Sequence, residues 1–260
     1  MLRIKDILQS IEAYAPLPLQ ENFDNSGVQV GDTSQLATGV LLCLDITEET
    51  IDEAIEHKCN LIVSHHPIAF RPFKSLTGAT YVERCMIKAC KSDIVLYAAH
   101  TNLDNTIGGV SHRMAEKIGL QNISIMDPHP ATGTGCGVIG EFADEKTEMS
   151  FLQHVKQVFN CKRISHSVGI GKPIKKVAIC SGSGAFMIQN AIRAGAEAFI
   201  SGEAKYNDYY DVEDRILLTI IGHYESEECT KELFYDIISK EFPNFAVHFS
   251  NVNSNPVNYL

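Results

Sequence analysis

Long apolar runs and an excess of basic residues are both missing from this 260-residue sequence. The longest strongly apolar stretch, Ile216–Ile221, is far shorter than the roughly 20 residues that span a bilayer. The 22 Lys and Arg residues against 32 Asp and Glu residues give a formal net charge of −10, which opposes binding to the phosphate backbone of a nucleic acid. We therefore expect neither a membrane association nor a nucleic-acid partner.

Paired-cysteine motifs and nucleophile motifs are also absent. The 8 cysteines form no CxxC pair, and Cys43 and Cys180 stand inside apolar runs, where a thiol behaves as a small buried hydrophobe. No GxSxG sequence occurs, and no cysteine has an obvious neighbouring base, so covalent catalysis has no candidate. The N-terminal segment mixes charged residues with apolar ones, unlike a signal peptide. These features predict a reduced, cytoplasmic protein.

Short apolar runs alternate with stretches of helical periodicity along most of the chain. This order predicts an α/β fold with mostly parallel sheets covered by helices. The predicted helices are Ile4–Tyr14, a helix opened by Thr47, Tyr81–Lys91, and helices near residues 108–120 and 185–196. The predicted strands lie near residues 40–45, 60–64, 93–99, 175–180, 197–202 and 215–222.

The first and second parts of the chain have similar sequences. An offset of 137 residues places Cys43 over Cys180 and Ser64 over Ser201, and it also aligns apolar positions of the strands and of the helix between them. We therefore expect two related α/β domains, although βαβ order alone produces part of such a match. Clustered Pro and Gly residues predict the boundary region between Asp127 and about Gly171.

Histidines follow three of the predicted strands. His65 and His66 come after one strand, His100 after the next, and His223 after the strand near residue 220. Ligands of open α/β sheets bind beyond the carboxyl ends of the strands, so this placement predicts a site there. Adjacent side chains on an extended chain point to opposite sides, which favours two ions over one shared by His65 and His66.

Carboxylates follow two of these histidines at a spacing of four residues. Asp104 follows His100, and Glu227 follows His223, where a helix beginning near Tyr224 would allow the two side chains to converge. Imidazole with carboxylate is the ligand set of zinc, iron and manganese sites. Two such ions lower the pKa of a shared water, so hydrolysis is the chemistry expected.

Several residues have a second interpretation. His100 is either a ligand or a hydrogen-bond donor to the carboxylates, and we favour the donor. Asp45 is equally well a helix cap or part of the site. Four other histidines are interpreted as surface or internally satisfied groups: His57, His112, His154 and His248.

Two anion-binding candidates lie near the predicted strand ends. The turn Ser181–Gly184, with the sequence SGSG, is either a phosphate cradle or an ordinary strand-to-helix turn, and the missing GxGxxG pattern favours the turn. Arg71 and Lys74 follow the double histidine and either hold an anionic substrate or belong to a solvated loop.

These residues lie in motifs that resemble the GTP cyclohydrolase 1 type 2 homologue family, also called the Nif-three-like family. The resemblance covers nearly the whole chain. The motifs are FDNSGVQVGD (Phe23–Asp32), SHHPIAFRPFKSL (Ser64–Leu76), AAHTNLDNTIGGV (Ala98–Val110), CSGSG (Cys180–Gly184), FISGEAKYND (Phe199–Asp208) and GHYESE (Gly222–Glu227).

The resemblance implies two interleaved α/β domains, a dinuclear metal site at their junction and a homo-oligomer, commonly a hexameric ring. It assigns His66, Asp104 and Glu227 to one ion, and His65, His223 and Glu227 to the other, with Glu227 bridging. His100 matches a position that lines the site. Because the resemblance implies an inserted second domain, we expect residues 1–126 with 222–260 to form the first domain, which carries most ligands, and residues 127–221 to form the second.

The sequence departs from the family pattern at three positions. Glu203 stands where an aspartate is common, Asn207 lies near a usual histidine, and Cys136 occupies a glycine-rich stretch that often contains arginine. These departures bear on substrate handling rather than on the metals.

The resulting functional prediction is a protein with two divalent ions (Zn, Fe or Mn) that hydrolyses a nucleotide or small phosphate. For the GTP cyclohydrolase reaction, His100 would move protons, while Arg71 and Lys74 would meet the triphosphate. The alternatives are a dinuclear-metal phosphoesterase and a non-catalytic metal-handling or interaction protein.

Overall fold

A computed structural model describes residues 1–260 and contains two compact units. The first consists of residues 1–103 and 230–258, and the second of residues 104–229 with 259–260. The helices are α1 (Ile4–Tyr14), α2 (Glu48–Glu56), α3 (Tyr81–Lys91), α4 (Thr101–Asp104), α5 (Val110–Lys117), α6 (Glu148–Val158), α7 (Ile188–Arg193), α8 (Asp208–Asp211), α9 (His223–Glu227) and α10 (Thr230–Glu241). The strands are β1 (Gly27–Val30), β2 (Val40–Cys43), β3 (Leu61–Ser64), β4 (Val95–Ala98), β5 (Gln121–Ile125), β6 (Val138–Lys146), β7 (Ser165–His166), β8 (Ile174–Cys180), β9 (Ala198–Ser201), β10 (Leu217–Ile220) and β11 (Val247–Phe249).

The first unit has one five-stranded sheet, in the order β1-β4-β3-β2-β11. Its strands pair in parallel except for β1, which runs antiparallel to β4. All four residues of β2, β3 and β4 are buried, as expected for strands covered on both faces. In α1, buried residues recur at helical spacing at Ile4, Ile7, Leu8 and Ile11.

The second unit has a six-stranded sheet, in the order β5-β6-β8-β9-β10-β7. Its centre, β8-β9-β10, is parallel, and the strands at both ends of the order pair antiparallel. The predicted α/β fold with mostly parallel strands is therefore confirmed, with antiparallel additions that the sequence pattern did not indicate.

The predicted similarity of the two halves appears in the strand registers. In the first sheet Cys43 is paired with Ser64 across β2 and β3, and in the second sheet Cys180 is paired with Ser201 across β8 and β9. The alignment at an offset of 137 residues thus relates positions that occupy the same place in two separate sheets.

The units divide the chain at different residues from those predicted. Residues 104–126 belong to the second unit because β5 pairs with β6, and residues 222–229 belong to it as well. The expected boundary region contains β6 and α6. β6 belongs to the sheet because alternate residues of Val138–Phe142 are buried and the strand pairs with β8. Three of the proposed ligands, Asp104, His223 and Glu227, therefore lie in the second unit.

None of the helices combines the length and the apolar character that a membrane-spanning segment requires.

Candidate metal centre

Three histidines of the first unit lie together where two parallel strands end. His65 and His66 directly follow β3, and His100 lies two residues beyond β4, whose last residue, Ala98, pairs with Ser64. The ring centroids of the three imidazoles are separated by 5.1 to 5.4 Å. One ring nitrogen from each lies within 4.8 Å of those of the other two, so this group can hold a metal ion.

The adjacent pair does not follow the alternation of a strand. The His65 and His66 rings are tilted by 50° and lie in the same cluster. The strand ends at Ser64, and a residue beyond its end no longer has to point to the opposite face from its neighbour. The spacing argument for two separate ions therefore does not apply to this pair.

Oxygen acceptors hold the Nδ1 atoms of the double histidine. The buried His65 donates from Nδ1 to the carbonyl oxygen of Ala99 at 2.9 Å, and His66 donates to Asp45 Oδ1 at 2.7 Å. Asp45 also accepts a hydrogen bond from the Ser254 hydroxyl at 2.6 Å. A proton fixed on Nδ1 places the ring lone pair on Nε2, the arrangement of metal-ligating histidines with an outer acceptor.

Asp45 is therefore part of the site rather than a helix cap. The N-cap of α2 is Thr47, as predicted, and its hydroxyl accepts a hydrogen bond from the Thr50 amide. The sequence left the two roles of Asp45 equally weighted because the turn follows the strand directly.

His100 has a carboxylate partner that the sequence analysis missed. Asp24, whose side chain has 0 % exposure, accepts from His100 Nδ1 at 2.8 Å and from the Thr101 amide at 3.0 Å. Burial would raise the pKa of Asp24, but the hydrogen bonds from His100 and Thr101 and the nearby imidazole hold that pKa well below its usual range. Asp24 lies inside the FDNSGVQVGD motif, but its long separation from His100 in sequence gave no signal of the pairing.

His223 and Glu227 face each other in the second unit, four residues apart on α9. His223 Nε2 lies 3.0 Å from Glu227 Oε2, as the helical spacing predicted, and Glu227 is only 3 % exposed. His223 Nδ1 lies 3.1 Å from Glu203 Oε1, and the Ser183 hydroxyl donates to Glu203 Oε2 at 2.7 Å. Glu203, noted in the sequence as a departure from the family pattern, thus orients His223.

The SGSG segment supports the remaining carboxylates. Ser181 Oγ donates to Asp104 Oδ1 at 3.3 Å. Gly182 has a φ of +57°, and a Cβ there would overlap Glu227 Oε1 and lie 3.4 Å from His223 Nε2. A glycine is needed at this position both for its backbone conformation and for the close approach of the Glu227 carboxylate.

Backbone amides of the SGSG segment donate hydrogen bonds to side chains of the same unit. Three of its backbone N–H groups donate to serine hydroxyls: Ser181 to Ser111, Gly182 to Ser226, and Gly184 to Ser201. These donors are committed to the protein itself, which agrees with the turn interpretation rather than with a phosphate cradle.

The candidate substrate cations lie in the loop between β3 and α3. Arg71 and Lys74 are exposed there. Phe70, at the start of the same stretch, packs edge-on against the His100 ring with centroids 5.5 Å apart, so the loop leaves from beside the histidine cluster.

The four histidines interpreted from the sequence as surface or internally satisfied groups have contacts outside the histidine cluster. His57 and His248 stack on each other with centroids 4.6 Å apart, and His154 Nε2 donates to the carbonyl oxygen of Ile118 at 2.8 Å. His112 lies 3.6 Å from Glu116.

The donor chemistry in each unit fits divalent metal ions. The first unit offers imidazoles oriented by oxygen acceptors, and the second offers an imidazole beside a buried carboxylate that a glycine accommodates. Zinc, iron and manganese all accept these ligand types.

Comparisons with known proteins agree with the resemblance in the motifs. The chain is 37 % identical over 228 residues to a protein of Clostridium perfringens named GTP cyclohydrolase 1 type 2 homolog, covering 87 % of each chain. It is 28 % identical to the Campylobacter jejuni protein of the same name, over 100 % of both chains. A Staphylococcus aureus hypothetical protein of known structure matches with a TM-score of 0.92 and 29 % identity, covering 100 % of this chain and 99 % of that one. The model of the Duf34/NIF3 (NGG1p interacting factor 3) family matches residues 2–256, and the chain therefore belongs to that family.

Proposed function

We propose that the protein is a metal-dependent hydrolase that binds two divalent ions through His65, His66, Asp104, His223 and Glu227 and acts on a nucleotide-like substrate. The observation that carries this proposal is the convergence of His65 and His66, each with its Nδ1 held by an oxygen acceptor. Structural histidines need no such common orientation, whereas metal ligands require it.

The division of ligands follows the family resemblance. His66, Asp104 and Glu227 are proposed to bind one ion, and His65, His223 and Glu227 the other. The buried position of Glu227 supports a bridging role, because a desolvated carboxylate is costly unless positive charge balances it. Two divalent ions, when bound, supply Lewis acidity and lower the pKa of a coordinated water.

His100 is proposed to move protons during the reaction. Its Nδ1 proton is held by Asp24, which leaves Nε2 to accept a proton from the attacking water and return it to the opened ring. The carboxylate of Asp24 stabilises the imidazolium that results, and its lowered pKa keeps it ionised for this purpose. For GTP, the water oxygen would form a bond to C8 of the guanine ring, a bond between C8 and a ring nitrogen would break, and that nitrogen would receive the proton.

Arg71 and Lys74 are proposed to hold the anionic part of the substrate. Both are exposed in the loop that leaves the histidine cluster at Phe70, and they would offset the formal net charge of −10 that otherwise repels a nucleotide. A dinuclear phosphoesterase would use the same two cations.

The first test measures metal content and GTP turnover on the same preparations. We expect about two ions per chain by elemental analysis of the untagged protein, with loss of GTP followed by anion-exchange chromatography. Glu227→Gln should lose more than half of the metal and the turnover. Glu228→Gln, which removes the charge of the exposed neighbouring residue, should retain both.

The outcomes separate the candidate functions. Two ions with GTP loss support the cyclohydrolase reaction. Two ions without loss of GTP or of any phosphoester refute hydrolysis and leave a metal-handling protein. Unchanged metal content in Glu227→Gln, His65→Ala and His66→Ala would refute the ligand assignment.

The family resemblance also leads us to propose a homohexamer. Light scattering during size-exclusion chromatography would give about 172 kDa for six copies of the 28.7 kDa chain. A monomer or dimer mass would refute the ring.

A further inference from the structure

Two thiols lie side by side in the second unit and have no part in the proposed chemistry. Cys136 Sγ and Cys180 Sγ are 3.1 Å apart, and both cysteines are free. Cys136 is partly exposed and Cys180 is buried.

The antiparallel pairing of β6 with β8 brings the segment that carries Cys136 next to Cys180. Cys180 is the last residue of β8, and Cys136 lies two residues before β6, the antiparallel neighbour in which Val138 pairs with Ile179. A disulfide has a sulfur–sulfur distance of about 2.05 Å, so bond formation requires a closure of about 1 Å.

Cys180 is also the residue directly before the SGSG segment. A Cβ at Gly184 would lie 2.6 Å from Cys180 Cβ, so the backbone of the segment packs tightly onto this cysteine. Between them, Ser181 donates to Asp104 and Gly182 lies against Glu227. Cys180 therefore adjoins the segment that positions two proposed ligands, Asp104 and Glu227.

Cys136, Asp104 and Glu227 lie close enough to Cys180 to affect the pKa of its thiol. The hydrogen bond with Cys136, burial, and the charges of Cys136, Asp104 and Glu227 raise the pKa of the Cys180 thiol well above its ordinary value. Because Cys136 is partly exposed and Cys180 is buried, Cys136 is the thiol that an oxidant reaches first.

We propose that Cys136 and Cys180 form a reversible disulfide, and that this bond weakens metal binding by displacing the SGSG segment. The formation of the bond stands independently, and its effect on metal binding rests on the proposed function. Metal sites require ligand placement within about 0.5 Å, so a closure of about 1 Å at Cys180 is enough to disturb Asp104 and Glu227.

The oxidant is a peroxide, and the reaction balances in two steps. The Cys136 sulfur attacks one peroxide oxygen, the O–O bond breaks, and one water leaves, which gives a sulfenic acid. The Cys180 sulfur then attacks the Cys136 sulfur, the S–O bond breaks, and the hydroxyl leaves as water with the Cys180 proton. Two thiols and one hydrogen peroxide thus yield one disulfide and two waters. A dithiol reductant reverses the bond by two thiol–disulfide exchanges.

The experiment treats metal-free full-length protein with one equivalent of hydrogen peroxide. Remaining thiols are alkylated, and the unreduced digest is analysed by mass spectrometry. We expect a peptide pair joined through Cys136 and Cys180, absent after dithiothreitol and absent in Cys136→Ser and Cys136→Ala. The control Cys90→Ser, which removes an exposed cysteine of the first unit, should form the same link.

The second readout is Mn²⁺ affinity by calorimetry, because Mn²⁺ prefers imidazole and carboxylate oxygen to thiolate. The oxidised protein should bind Mn²⁺ about tenfold more weakly than the reduced protein, a loss of the size seen when outer partners of ligands are removed. Cys136→Ser should show no change on peroxide treatment.

Absence of the 136–180 link, with Cys90 oxidised at the same dose, would overturn the proposal. A link with equal Mn²⁺ affinity in both redox forms would overturn the effect on the metal site. If the reduced protein binds no Mn²⁺, the proposed function fails, while the cross-link still decides whether the disulfide forms.

Discussion

Replacing Gly182 with alanine tests whether the SGSG segment shapes the metal site. The φ of +57° at Gly182 is unfavourable for alanine, which should cost about 1–2 kcal/mol of unfolding free energy. The added Cβ would also overlap Glu227 Oε1, and restoring an ordinary carbon–oxygen contact requires the carboxylate to move by about 1 Å. We expect Mn²⁺ affinity to fall about 10- to 100-fold, or about 1.4–2.8 kcal/mol.

Gly195→Ala is the matched control. Gly195 belongs to the same unit and has a φ of +75°, but a Cβ there would meet nothing within 4 Å. It should therefore carry the same backbone cost without disturbing Glu227. Urea unfolding with EDTA measures the stability of each variant, and calorimetry at a temperature where both are folded measures Mn²⁺ binding.

The comparison of Gly182→Ala with Gly195→Ala separates the effect of displacing the Glu227 carboxylate from the effect of backbone strain at a positive φ. Equal Mn²⁺ affinity in Gly182→Ala and the wild type would refute the argument that Gly182 makes room for a ligand. An equal loss of affinity in both variants would attribute the effect to general destabilisation instead.

Three further changes follow from other contacts. Asp45→Asn should lower Mn²⁺ affinity about tenfold, because a neutral amide orients His66 less strongly, whereas Asp52→Asn on the exposed face of α2 should not; equal affinity in both would contradict the role of Asp45. Arg71→Ala combined with Lys74→Ala should raise KM for GTP at unchanged metal content, and an unchanged KM would remove these cations from the substrate site. Hydrogen bonds from the Thr77 amide and hydroxyl lower the pKa of Glu83 to about 2, so its stabilisation is present above about pH 4.5 and is lost as the pH falls towards 2. The difference in unfolding free energy between the wild type and Glu83→Gln should accordingly shrink from pH 5 to pH 2, and a constant difference would refute this.

Local sequence signals predicted much of the fold because periodicity and caps are local properties. The helices Ile4–Tyr14 and Tyr81–Lys91 have the bounds that their apolar spacing indicated, and Thr47 caps α2 as expected. The unit boundary was not predictable in this way. β6 begins after a glycine-rich stretch that indicated a linker, and its assignment depends on pairing with β8, which no local pattern encodes.

The same distinction applies to the candidate site. Histidines at strand ends and the four-residue spacing of His223 and Glu227 are local signals. In the first unit the structure brings His65, His66 and His100 close to one another, and in the second it places His223 beside Glu227. The partners of their Nδ1 atoms are distant in sequence or lie in another loop. Asp24 reaches His100 across 76 positions, and no spacing rule connects them.

The two halves carry different side chains at equivalent strand ends. Ser64 and Ser201 occupy the same register position, but His65 and His66 follow the first, whereas Gly202 and Glu203 follow the second. In the second half, Gly202 leaves room for the neighbouring SGSG segment, since a Cβ at Gly202 would lie 2.7 Å from the Gly182 carbonyl oxygen. Glu203 orients His223 and is not itself a proposed ligand. The imidazole of that half comes from the start of α9, after the third parallel strand. Glu203→Gln should therefore weaken Mn²⁺ binding by disordering His223, and unchanged binding would show that this carboxylate does not orient the ligand.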